Sequence, residues 1–267
     1  MKQEAIGIFD SGIGGLTVLK EVRRKLPHEN ILYLGDTARV PYGIRSSQTV
    51  LKYSIANTDF LLKQNIKLLV IACNTASAVA TDTLCDKYDI PIIDVVGPGS
   101  RGAVRTTKNK KVGIIGTEGT IRSSAYQKAI HSLQQDIETF TQPCPLFVNL
   151  AEEGWCGHDD EVVLLIAKRY LAGLKSLDID TLVLGCTHYP LLKGALRSVM
   201  GESIALIDSA EETAQDVADL LQKQNLMNER RDYGSCRFFL TDIPHRFTET
   251  GKLFLGEELR DVEVVDI

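Results

Sequence analysis

Two cysteines hold the positions where chemistry is easiest to imagine. Cys73 closes the apolar run Leu68-Leu-Val-Ile-Ala72, and Cys186 closes Leu182-Val-Leu-Gly185. Each is followed by short polar residues, Asn74-Thr75 in the first case and Thr187-His188 in the second. A disulfide exchanger would want its thiols close together, as in CxxC, and no such pair occurs among the six cysteines (73, 85, 144, 156, 186, 236). The spacings match no zinc site either, so no metal is expected. Two weak acid/bases flanking one carbon suit the removal of a proton from one face and delivery of another to the opposite face, which is stereoinversion at a carbon acid. A thiol at a helix N-terminus is expected to have its pKa lowered from ~8.5, which would raise its thiolate fraction. The other four cysteines lack such a setting and read as core or surface filler.

Other groups could assist. Asp10 follows a strand and precedes Ser11-Gly-Ile-Gly-Gly15; it could position or deprotonate the Cys73 side, or simply cap the glycine turn. His188 lies two residues beyond Cys186, near enough to poise that thiol. Glu152 and Glu153 are adjacent carboxylates, of which at most one can face a cleft. The glycine loop lacks the third glycine of a dinucleotide fingerprint and has no Walker lysine; its backbone N–H groups are read as approaching an anionic substrate. Tyr42-Gly43, Asn74-Thr75 and Thr187 add neutral donors, an inventory that fits a carboxylate better than a phosphate. His28, His131 and His158 read as surface residues.

The elements that must position these groups follow from hydrophobic pattern. An apolar run without polar alternation reads as a strand buried on both faces, as in parallel sheets, whose carboxyl ends are where ligands bind. Ile6-Gly-Ile-Phe9, Ile31-Leu-Tyr-Leu34, the Cys73 run and Ile90-Pro-Ile-Ile-Asp94 are four such strands, with helices between them. Leu16, Leu19, Val22 and Leu26 recur at helical spacing until Pro27. Gly97-Pro-Gly99 reads as a hinge. The pattern then restarts: Val112-Gly-Ile-Ile-Gly-Thr117 resembles Ile6-Gly-Ile-Phe-Asp-Ser11, the Cys186 run resembles the Cys73 run, and Ile204-Ala-Leu-Ile-Asp208 resembles Ile90-Pro-Ile-Ile-Asp94. Cysteine to aspartate spans 21 residues in one half and 22 in the other; first strand to cysteine spans 67 and 74. The expected fold class is α/β: two similar three-layer domains related by internal pseudo-symmetry, with the active site in the cleft between them. The expected division is 1–97 plus 208–267 for the Cys73 domain and 98–207 for the Cys186 domain, with the tail from Cys236 packing back on the first.

The 267 residues are 44% hydrophobic and 24% charged, with a formal net charge of −5. That composition is globular, and the acidic balance argues against a nucleic-acid partner. No run approaches membrane-spanning length and no signal-peptide pattern opens the chain, so a cytoplasmic protein without membrane attachment is expected.

Four ordered blocks resemble the signatures of bacterial glutamate racemase, in the aspartate/glutamate racemase superfamily: Phe9-Asp-Ser-Gly-Ile-Gly-Gly-Leu-Thr-Val18, Gly35-Asp-Thr-Ala-Arg-Val-Pro-Tyr-Gly43, Ala72-Cys-Asn-Thr-Ala-Ser77 and Gly185-Cys-Thr-His-Tyr-Pro190. The likeness runs from about Ile6 to Leu221. It implies a cofactor-independent enzyme that interconverts L- and D-glutamate, supplying D-glutamate for peptidoglycan, and commonly a homodimer. It implies Cys73 and Cys186 as the catalytic bases, assisted by Asp10, Glu152 and His188. It implies substrate contacts from Asp10, Ser11, Tyr42, Gly43, Asn74, Thr75, Thr187 and His188. Aspartate racemase, hydantoin racemase and a single-thiol decarboxylase are neighbours in the superfamily; the presence of both cysteines argues against the last. A non-catalytic two-lobed carboxylate-binding protein and a redox sensor using a reversible Cys73–Cys186 disulfide are the readings from other classes.

Overall fold

The computed structural model describes residues 2–243 and 247–267. In chain order the strands and helices are β1 (Ala5–Asp10), α1 (Leu16–Lys25), β2 (Ile31–Gly35), α2 (Ser47–Lys63), β3 (Ile66–Ile71), α3 (Asn74–Lys87), β4 (Ile92–Asp94) and α4 (Val96–Thr106). There follow β5 (Lys111–Gly116), α5 (Glu118–Ser123), α6 (Ala125–Leu133), β6 (Glu138–Pro143), α7 (Leu146–Glu152), α8 (Glu161–Lys175), β7 (Thr181–Gly185), α9 (Lys193–Met200), β8 (Ala205–Asp208) and α10 (Ser209–Lys223). The chain closes with β9 (Cys236–Leu240), α11 (Phe247–Leu255) and β10 (Val262–Val264).

These strands form two parallel sheets, ordered β10-β9-β2-β1-β3-β4 and β6-β5-β7-β8. If β9 and β10 are set aside, both sheets have the same winding: the second strand lies outside the first, and the third returns to its other side. The repeat seen in the sequence is therefore a repeat of topology, two α/β domains of one design. Each has its switch point beside its first strand, between β1 and β3 in one and between β5 and β7 in the other, where open α/β sheets form a ligand crevice.

The apolar runs contain no alternation because both faces of each sheet are covered. On β3, Leu68 and Val70 join the core shared with α1, α10 and α11, while Leu69 and Ile71 point to the side of α2 and α3. On β7, Leu182 and Leu184 face α8 and α9, while Val183 faces α4 and α6. At the base of the first sheet lies a buried ion pair, Lys67 Nζ to Glu29 Oε2 at 2.5 Å. The same ammonium donates to the carbonyls of Lys2 at 2.7 Å and Leu226 at 2.8 Å.

The sequence reading of Gly97-Pro98-Gly99 as a hinge is corrected: all three lie in the first turns of α4. Proline is tolerated there because a first-turn N–H has no intrahelical partner to lose. Asp94 Oδ1 accepts from Gly97 N at 2.7 Å and so caps the turn. Asp208 makes the matching cap on α10, accepting from Ala210 N at 2.9 Å. Lys193 joins Asp208 and Glu211 at 2.7 Å each.

Candidate active site

The strand ends of the two sheets face one cavity of about 280 Å³. Cys73, Asn74 and Thr75 come from the end of β3 and the start of α3; Ser11 from the end of β1; Tyr42 and Gly43 from the loop after β2. Cys186, Thr187 and His188 come from the end of β7, and Glu152 from the end of α7. The described side chains thus bring together every sequence-designated residue except Asp10, which is wholly buried behind Ser11 and stands outside the cavity lining.

On the first wall, Cys73 Sγ lies 3.6 Å from Ser11 Oγ. Burial pushes its thiol up to about 12, and the charge of Asp10 adds to the rise. The expected lowering by the start of α3 is therefore overturned. The helix does help, through the Ala76 N–H, but loss of water outweighs it. Burial likewise raises Asp10, against the opposing pull of His188 and of the Ser11, Gly12 and Gly15 amides. Its Oδ2 accepts from Gly12 N at 2.9 Å, so it does cap the glycine turn, while Oδ1 has no described partner.

On the opposite wall, Cys186 Sγ lies 3.8 Å from His188 Nδ1, and His188 Nε2 is 2.9 Å from Glu152 Oε1. Burial works to deprotonate the imidazole, yet hydrogen bonds to Cys186 and Glu152 outweigh it and carry His188 up to about 10. His188 is thus an imidazolium at neutral pH, placed to donate to both neighbours. Phe254 packs edge-on against its ring at 5.1 Å. Of the adjacent carboxylates it is Glu152 that reaches the cavity; Glu153 lines a neighbouring one with Thr37 and Phe247.

Three features decide how these residues are presented. A short 3₁₀ turn, Tyr189–Leu192, with Pro190 in its opening positions, stands between Cys186 and α9. Asn74 and Thr75 do not cap their own helix but turn to the second domain: Asn74 Nδ2 donates to Tyr126 Oη at 2.8 Å, and Thr75 Oγ1 lies 2.9 Å from Thr117 Oγ1. The Tyr42 hydroxyl donates to the buried Asp36 and is no free donor, so that loop offers its Tyr42 ring and the Gly43 backbone. The glycines of the 11–15 loop make room for side chains: a Cβ on Gly15 would stand 2.5 Å from Asp10 Cβ, and one on Gly14 would stand 2.5 Å from His188 Cε1 of the other domain.

Sequence reading missed Thr117, Glu118, Val148 and Asn149, which also line the cavity. For Thr117 the signal was present, since the repeat sets it opposite Ser11. For Glu118, which opens α5, and for Val148 and Asn149, in α7, nothing in residue type or spacing marks a site.

Comparison with known proteins agrees with this geometry. Residues 16–217 match the family model described as Asp/Glu/Hydantoin racemase. A glutamate racemase of Geobacter metallireducens is 52% identical over 267 residues, covering 100% of this chain and 98% of that one. The crystal structure of a glutamate racemase isoform from Bacillus anthracis is similar with a TM-score of 0.95 at 40% identity, over 100% of this chain and 99% of that one. That of a glutamate racemase from Francisella tularensis in complex with D-glutamate gives 0.93 at 38% identity, over 100% and 98%. The chain belongs to the Asp/Glu/hydantoin racemase family and is an amino-acid racemase. Its full-length likeness within that family is to the glutamate racemases.

Proposed function

We propose that the chain interconverts L- and D-glutamate by two-base proton transfer at the α-carbon, with Cys73 and Cys186 as the bases, and that its D-glutamate serves peptidoglycan synthesis. The observation that carries the mechanism is that one cavity has a thiol from each sheet in its walls. In either direction one thiolate takes the α-proton, the electron pair is held as a carbanion conjugated with the α-carboxylate, and the opposite thiol delivers its own proton to the other face. The enzyme is left with the two protonation states exchanged. Both steps use only side chains of this chain, and general acid–base catalysis of this kind contributes about 10²–10⁴-fold.

The supporting groups divide by wall. His188, held as an imidazolium by Cys186 and Glu152, is placed to stabilise thiolate at Cys186 and to return a proton to it. Asp10 acts on the other wall from behind Ser11 as a positioning residue. Ser11, the Gly43 backbone, Asn74, Thr75, Thr187 and His188 would hold the carboxylates and ammonium of the substrate, with the Tyr42 ring as a wall. The D-glutamate in the Francisella tularensis structure supports the choice of ligand.

Circular dichroism of L- and of D-glutamate incubated with the enzyme tests the substrate. Decay of either enantiomer to zero signal is expected. Decay with aspartate but not glutamate would reject the assignment of substrate.

A further inference from the structure

Tyr126 is remote in sequence from every motif, yet it touches the residue beside each thiol. It lies in α6 of the second domain and is 1% exposed. Its hydroxyl reaches back to the first domain, accepting from Asn74 Nδ2 at 2.8 Å and donating to the Val95 carbonyl at 3.4 Å, in the link between β4 and α4. Ser209, which opens α10 at the other crossover, lies beside the same ring: a Cβ on Gly99 would stand 3.2 Å from Tyr126 Cε1 and 3.3 Å from Ser209 Cβ. The ring covers Gly185, the residue before Cys186: a Cβ there would stand 3.1 Å from Tyr126 Cε2. One side chain therefore abuts the neighbour of each thiol and both chain crossings.

The consequence lies in the Asn74 amide. A tyrosine hydroxyl has one proton, and here it is directed at the Val95 carbonyl. Toward Asn74 the oxygen accepts, and the amide presents its NH₂ end to Tyr126. Its carbonyl, Oδ1, is left buried without a described partner, on a residue that lines the cavity. A buried acceptor without a partner costs free energy until a donor arrives.

We infer that Tyr126 is a positioning residue for the racemisation: it fixes the Asn74 amide so that Oδ1 is the acceptor offered to the substrate ammonium, beside Cys73. This rests on Asn74 as a substrate contact, as proposed above. A freely turning amide would present either end, and binding would weaken without any change in the thiols.

The test is a double-mutant cycle with Tyr126→Phe and Asn74→Ala, read as KM and kcat for glutamate, with thermal unfolding of each variant and Ser209→Ala as a second probe. Tyr126→Phe is expected to raise KM about five- to tenfold while kcat changes less than about threefold, a loss of the size of one neutral hydrogen bond. In the Asn74→Ala background the same substitution should leave KM unchanged. Ser209→Ala, which spares the contact with Asn74, should alter the unfolding temperature and leave KM within about twofold. Equal KM penalties of Tyr126→Phe in both backgrounds, or an equal penalty from Ser209→Ala, would make Tyr126 a structural prop and overturn the inference. An unchanged KM for Asn74→Ala alone would instead remove Asn74 from the substrate contacts, and the inference with it.

Discussion

Cys73 and Cys186 are equally buried, at 6% and 5% exposure, but their surroundings have opposite charge. Asp10 stands behind the first and the His188 imidazolium beside the second. In the free enzyme at pH 8, Cys73 is therefore expected to alkylate with iodoacetamide far more slowly than a free thiol. Asp10→Asn should speed Cys73 by removing the charge that raises its pKa; peptide mass mapping that finds an unchanged rate would count against this role for Asp10. His188 has a definite pH signature. Its folded pKa, about 10, lies above the ordinary 6.5, so its ion pair contributes full stability below about pH 6.5 and loses it as pH rises through about 10. Glu152→Gln removes one of the groups that raise it, so the alkaline limb of kcat/KM should move to lower pH. Superimposable profiles for the two enzymes would exclude the coupling. At this scale the sequence marked Cys73, Cys186 and His188 by their place after apolar runs, and all three line the cavity, but it could not separate Glu152 from Glu153. It misled where burial decides, since no spacing rule reveals that Cys73 loses more from desolvation than it gains from its helix.

Among the elements, the glycine loop after β1 carries the steric constraint that bears on the site. Gly14 leaves just enough room for Thr187 and His188 to approach from the opposite domain, and Thr17 Oγ1 donates to the Thr187 carbonyl at 2.9 Å beside it. Gly14→Ala should therefore displace His188 and lower kcat/KM by about 10²-fold, since small misplacements of catalytic groups carry penalties of that order. A variant with wild-type kinetics would show that the loops separate without consequence. The strands that end at the site could be read from their apolar runs, and the order of the two halves from their repeat, whereas β6, Glu138–Pro143, has no apolar run to mark it. The Gly97-Pro98-Gly99 segment could not, because glycine and proline have the same signature in a loop and in the first turn of a helix. Only the Asp94 cap and the packing of α4 on the second sheet separate the two readings.

For the molecule as a whole, the rigid base of the first sheet and the cavity at its opposite edge are expected to separate stability from activity. Lys67→Ala leaves Glu29 buried without its cation, at 3% exposure, and should cost about 3–5 kcal/mol in urea unfolding with kcat unchanged at temperatures where the variant stays folded. A cost below about 1 kcal/mol would mean that the pair is solvated. Racemisation, by contrast, belongs to the pair of domains together, since each sheet brings one thiol to the shared cavity. The most direct test of that claim is the isotope content of substrate and product at early conversion in D2O, starting from each enantiomer of glutamate. Two bases predict deuterium at the α-carbon of the product and protium in the recovered substrate in both directions. Protium carried into the product, or deuterium entering the substrate as fast as the product forms, would mean that one base serves both faces and would contradict the account.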